Sequence, residues 1–117
     1  GKDPDCAGLS LARKSMRNVS SDSYAASVKC LVTFEARDYL PSITVPTLVL
    51  AGEYDTNAPK AMMEKMSQKI PGAEFAVLSD VGHLAPLEKP DIFNQVVLDF
   101  LARRNKDVIE HFNQETA

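Results

Sequence analysis

From Ile43 onward, short apolar runs alternate with apolar stripes at helical spacing, and that alternation predicts a β-α-β-α order. Val45-Pro46-Thr47-Leu48-Val49-Leu50-Ala51-Gly52 is nearly all apolar or β-branched, as expected of a buried parallel strand covered by helices on both faces. Pro46 fits only at its start. Gly52 to Asn57 reads as a turn, and Thr56 or Asn57 with Pro59 opens a helix. Ala61, Met62, Met66 and Ile70 give that helix its apolar stripe, and Pro71-Gly72 stops it. Phe75-Ala76-Val77-Leu78 is a second strand, left through the loop Ser79 to His83. Pro90 starts another helix, with Ile92, Phe93, Val96, Val97, Phe100 and Leu101 as a wide apolar face. Beyond Arg104, Val108, Ile109 and Phe112 allow a further turn or two. This order implies parallel strands joined by a right-handed crossover.

The N-terminal third reads as helices only. Leu9, Leu11, Ala12 and Met16 form an imperfect stripe, with Asp3 or Asp5 available as a cap and Pro4 near the first turn. Ser20 to Ser23 reads as a break followed by a cap. Ala25, Val28, Leu31, Val32 and Ala36 then predict a helix from Tyr24 to about Ala36. Arg37-Asp38-Tyr39-Leu40-Pro41 ends it, because a residue before proline is pushed out of the α region.

Composition narrows the partners. A formal charge of −3 over 117 residues leaves no basic footprint for nucleic acid. The longest apolar run, Thr47 to Ala51, is far too short to cross a bilayer, and the opening Gly1 to Asp5 carries no secretory pattern. Cys6 and Cys30 belong to no CxxC pair, so two lone thiols in a reducing, cytoplasmic compartment are expected rather than a disulfide. His83 and His111 have no neighbours at ligand spacing, so no zinc site is expected, and the chain implies no metal or organic cofactor.

Two polar residues stand where parallel α/β sheets place their chemistry, just past the carboxyl ends of strands. Asp55 follows the first strand and His83 follows the second. Neighbouring parallel strands open both loops on one edge, within reach of a carboxylate–imidazole hydrogen bond. Such a bond fixes the ring's tautomer and stabilises its charged form, which a general base near neutrality requires. Taken singly, each has a plainer reading: Asp55 as a turn former or helix cap, His83 as a solvated loop residue. Glu88 reads as a first-turn charge favoured by the helix dipole rather than as a second catalytic carboxylate. His111 reads as a surface residue on a tail helix, and Met62, Met63 and Met66 as packing.

Pro46 to Asp55 resembles the α/β-hydrolase strand and loop that deliver the acid of a catalytic triad. Val81-Gly82-His83-Leu84-Ala85-Pro86-Leu87-Glu88-Lys89-Pro90 resembles the same family's histidine loop and the entry to its last helix. The resemblance covers roughly residues 21–103 and makes Asp55 and His83 the expected catalytic acid and base. It implies a helical segment over residues 1–40 resembling the end of a cap region, as in small esterases and lactonases of the 3-oxoadipate enol-lactonase type. Residues 41–117 would then be the C-terminal α/β-hydrolase segment, acting on small esters or lactones.

In that family the nucleophile sits at a G-x-S-x-G elbow upstream of the acid. Gly8-Leu9-Ser10-Leu11-Ala12 fits only a relaxed form, and the polar residues before it offer no buried strand. Ser10 also lies too close to Asp55 for the strand and cap that belong between them. The nucleophile is therefore expected to be absent from this chain, which by itself should be inactive. Two parallel strands also leave both sheet edges open, so the chain is expected to self-associate or to pair with a missing N-terminal half. The competing readings are a non-catalytic ligand-binding or interaction protein on the same fold, and a dehalogenase or carbon–carbon hydrolase on the same scaffold.

Overall fold

Two parallel strands, β1 (Leu48–Gly52) and β2 (Glu74–Leu78), form the sheet in a computed structural model that describes residues 7–115, with side chains over 7–106. Leu48 lies opposite Glu74 and Gly52 opposite Leu78, so both strands end at one level. The remaining elements are α1 (Ala7–Arg17), α2 (Ser21–Thr33), a 3₁₀ segment (Arg37–Ser42), α3 (Lys60–Ser67), α4 (Ala85–Glu88) and α5 (Pro90–Glu115). The expected β-α-β-α order is thus present, with α3 connecting the two parallel strands and packing against both.

The boundaries moved for identifiable reasons. β1 begins at Leu48 rather than Val45, because the stretch before it carries Pro46 and Thr47 bonds its hydroxyl to the Val45 carbonyl. Burial alternates along it, with Val49 and Ala51 buried while Leu48 and Leu50 are half-buried. The strand is therefore better covered on one face than the other. α3 starts at Lys60 with Pro59 at its cap, since the amides of Asn57 and Ala58 are engaged by Asp55. Its stripe residue Ile70 lies beyond the helix and is nonetheless buried.

α2 starts three residues earlier than expected, because Ser20 rather than Ser23 caps it and accepts from the Ser23 amide at 3.2 Å. It also ends at Thr33 rather than Ala36, in a Val32-Thr33-Phe34 run of weak helix formers. Arg37 to Ser42, expected only to terminate that helix, is a 3₁₀ segment that accommodates Pro41. α4 was not foreseen, and α5 continues unbroken to Glu115, through the further turns allowed beyond Arg104. Ion pairs from Arg103 and Arg104 to Glu74 fasten α5 to the start of β2. The early cap residues Asp3 to Asp5 and Cys6, and the side chain of His111, lie outside the described residues.

The core is small and centred on the sheet. Among the described residues the buried apolar set is Val49, Ala51, Ile70, Leu78, Val81 and Phe100. Val81, just past β2, is fully buried, and removing such a side chain from water is worth about 1.5–3 kcal/mol. Neither outer edge of the sheet carries a strand among the described residues. No helix there is long and apolar enough to cross a membrane.

Candidate active site

The chain leaves β1 at Gly52 and turns at once. Backbone hydrogen bonds stitch that turn to the loop after β2: the Glu53 amide donates to the Leu78 carbonyl at 3.0 Å, and the Tyr54 amide to the Val81 carbonyl at 2.8 Å. Gly52 is required for this approach. A Cβ there would lie 2.2 Å from the Gly82 carbonyl oxygen and 2.7 Å from that of Val81. Equal strand ends and stitched loops bring Asp55 and His83 to one rim.

His83 Nδ1 and Asp55 Oδ2 are 2.9 Å apart. The other carboxylate oxygen, Asp55 Oδ1, accepts from the amides of Asn57 at 2.8 Å and Ala58 at 2.9 Å. This is an Asx-type turn, so Asp55 fills the plain structural role and the His83-facing role together. Its side chain is only 8% exposed, whereas that of His83 is 52% exposed. Burial alone would raise the Asp55 pKa, but the Ala58 amide, the His83 ring and the Asn57 amide outweigh it, and the carboxyl lies below its usual range. Ionised at neutral pH, it can only accept, so Nδ1 carries the proton. Whenever the ring is uncharged, that leaves Nε2 as the proton acceptor, on an exposed imidazole with no other hydrogen bond among the described residues. A neutral imidazole backed by a fixed carboxylate can take a proton from an approaching hydroxyl and return it to a leaving group.

Glu88, expected to serve as a helix-dipole charge, does something more specific. Its Oε2 accepts from the Gly82 amide at 2.9 Å and its Oε1 from the Leu84 amide at 3.0 Å. Glu53 Oε2 likewise accepts from the Asp80 amide at 2.8 Å. Asp80 holds a left-handed backbone (φ 60°) and pairs with Lys89 at 3.0 Å. Sequence reading missed both glutamates. The available signal was Glu88 standing four residues after Leu84, where a carboxylate can reach back to a short helix's cap amide.

Ser10 lies inside α1, with no strand before it among the described residues, so no strand-to-helix elbow is built there. α1 instead packs on α4, where Gly8 sits so tightly that a Cβ would fall 1.8 Å from the Leu87 carbonyl oxygen. Met62, Met63 and Met66 line an open groove of about 560 Å³ with Phe34, Leu40 and Lys69, and Met62 is 52% exposed. Neither Asp55 nor His83 lines it. Among the described residues no group of His, Cys, Asp and Glu is placed to hold a metal ion. Cys30 is an exposed free thiol.

Comparison with known proteins agrees with this architecture. Over 64 residues the chain is 44% identical to the 2-hydroxy-6-oxononadienedioate/2-hydroxy-6-oxononatrienedioate hydrolase of a Pseudomonas species, covering 55% of this chain and 23% of that protein. It is 32% identical over 94 residues to 3-oxoadipate enol-lactonase 1 of Acinetobacter baylyi, covering 78% of this chain and 35% of the relative. The crystal structure of the enol-lactonase from Burkholderia xenovorans is similar with a TM-score of 0.76 at 31% identity, over 80% of this chain and 36% of that one. The chain thus spans between 23% and 35% of the length of these curated relatives. The family model for the α/β hydrolase fold matches residues 8–90, and with strands, loops and helices in the corresponding order the chain belongs to the α/β-hydrolase family.

Proposed function

We propose that Asp55 and His83 are the acid and base of a Ser-His-Asp type hydrolase acting on small esters or lactones. The observation that carries this is the 2.9 Å contact between His83 Nδ1 and Asp55 Oδ2 at the carboxyl ends of neighbouring parallel strands. In this reading His83 deprotonates a serine, protonates the leaving group and then activates water, while Asp55 orients the ring and stabilises its cationic form. The serine and the oxyanion-hole amides are supplied by chain outside these 117 residues. In the same reading the segment over residues 1–40 corresponds to the end of a cap region, and residues 41–117 to the C-terminal α/β-hydrolase segment. The lactone or ester preference is supported by the enol-lactonase relatives.

Small-ester and lactone hydrolysis assays test this. The 117-residue chain should read at background, and Ser10→Ala should change nothing. A version extended upstream through a G-x-S-x-G segment should turn over substrate, and His83→Ala in it should lower kcat by about 10⁴-fold or more. Ser10-dependent turnover by the chain alone, or full activity of His83→Ala in the extended form, would sink the reading.

We also propose that the open sheet edges are covered by that missing half or, in isolation, by a second copy of this chain. Support comes from the unpartnered edges and from Leu31 and Val32, both about three-quarters exposed at 76% and 74%. Sedimentation at rising concentration checks this, and a folded monomer throughout would rule it out. The free Cys30 thiol supports placement in a reducing compartment such as the cytoplasm.

A further inference from the structure

The loop that carries His83 contains no regular secondary structure from Val81 to Leu84 apart from the cap of α4. Its backbone must find partners elsewhere, because an amide near a buried position without an acceptor is costly. Three alternate amides in this loop are each taken by a carboxylate: Asp80 by Glu53, and Gly82 and Leu84 by Glu88. The last two flank His83 directly. One carboxylate therefore holds the Val81–Gly82 and His83–Leu84 peptide groups, one before and one after the residue whose ring meets Asp55. Glu88 is half-buried, and the residues between its two contacts, Gly82 and Leu84, span only His83.

We infer that Glu88 is a positioning residue that holds His83 in register with Asp55 through the amides of Gly82 and Leu84. This rests on the reading of His83 as the base, although the geometry it describes can be measured without any catalysis. A first-turn charge acting only on the helix dipole would need no particular oxygen placement. Two charge-assisted bonds to alternate amides need both oxygens, a planar carboxylate and a side chain of this length. Glutamine keeps the shape and one acceptor oxygen, so it can hold one amide and must release or weaken the other. Alanine releases both.

The test is NMR of the isotopically labelled chain, comparing the unsubstituted protein with Glu88→Gln and Glu88→Ala. Three quantities are read: the His83 Nδ1–H signal, amide exchange at Gly82 and Leu84, and amide exchange at Ala51 in β1 as a control. Exchange at Gly82 and Leu84 should accelerate at least about tenfold in Glu88→Ala, the scale of one lost charge-assisted hydrogen bond. In Glu88→Gln the acceleration should fall on one of the two amides. The His83 Nδ1–H signal should weaken in Glu88→Gln and vanish in Glu88→Ala, while Ala51 exchange is unchanged. If Glu88→Ala does not fold, the near-isosteric Glu88→Gln carries the comparison. An unaltered Nδ1–H signal in both variants overturns the inference. So does equal acceleration at Ala51, which would mark Glu88 as a general structural residue. Neither result depends on ester turnover, so failure here and failure of the hydrolase reading are separable.

Discussion

The loop rim beyond β1 and β2 and the helix α2 are built in opposite ways. At the rim, two loops are joined by backbone bonds from Glu53 and Tyr54, by the Glu53 carboxylate and by the Asp55–His83 contact, while the Glu88 carboxylate braces the second loop. Val81 is fully buried beneath them. α2 has an N-cap and its own helical bonds, yet every one of its residues is exposed. One region is over-determined by tertiary contacts, the other is held by local structure alone. The difference teaches that a polar, irregular loop can be the better-fixed element, because alternate amides along it are held by carboxylates and carbonyls from other segments. A regular helix without a packing surface is the weaker one, since most helical stability in proteins comes from a buried face.

The largest effect is expected from Gly52→Ala. The new methyl would press on two backbone carbonyls that cannot swing aside, at 2.2 and 2.7 Å. Chemical denaturation should show a loss near the top of the ~1–3 kcal/mol range for overpacking, together with loss of the His83 Nδ1–H signal. A stability and spectrum equal to the unsubstituted chain would show that the two loops are not in close contact.

Acid should act on the rim next. The Asp55 carboxyl is depressed in the folded chain, so its contribution is fully present above the unfolded carboxylate value, about 4. It is lost as pH falls through the lower folded value. Denaturation midpoints should therefore drop as pH falls below about 4, and Asp55→Asn should flatten that dependence. Glu74 is also depressed by Arg104 and Arg103, so some acid sensitivity will remain in the variant. An identical pH profile for both chains would mean that Asp55 is not held as described.

The smallest effect belongs to α2. Leu31→Ala should change folding stability by no more than about 0.5 kcal/mol, as for an exposed site away from the core. A loss of several times that amount would show that α2 has a buried face. Where the chain self-associates through this surface, the same variant should lower its sedimentation mass at a given concentration.

The legible parts of the sequence were those with a strong local signature. Val45 to Gly52 and Phe75 to Leu78 are dense β-branched or apolar runs, and the strands form over them, from Leu48 in the first, paired in parallel register. Asp55 and His83 were found because polar residues just past such runs fall on one rim whenever the strands are parallel. The cap of α2 was misplaced among four neighbouring candidates, Ser20 to Ser23, which propensity alone does not separate. Glu88 was assigned to the wrong partner, since its reach to Gly82 and Leu84 exists only once the loop is folded back on α4.

By itself, then, the sequence determined the parallel two-strand unit, the direction of its loops and the identity of the facing carboxylate and imidazole. Periodicity and turn chemistry act over a few residues and are written in order along the chain. Only the tertiary structure decided how closely the two loops meet, which tautomer His83 adopts and which glutamates hold its backbone. The first two depend on contacts across 27 and 28 residues of sequence, between Glu53 and Asp80 and between Asp55 and His83, which no local pattern encodes, and the Glu88 contacts on how the loop folds back on α4.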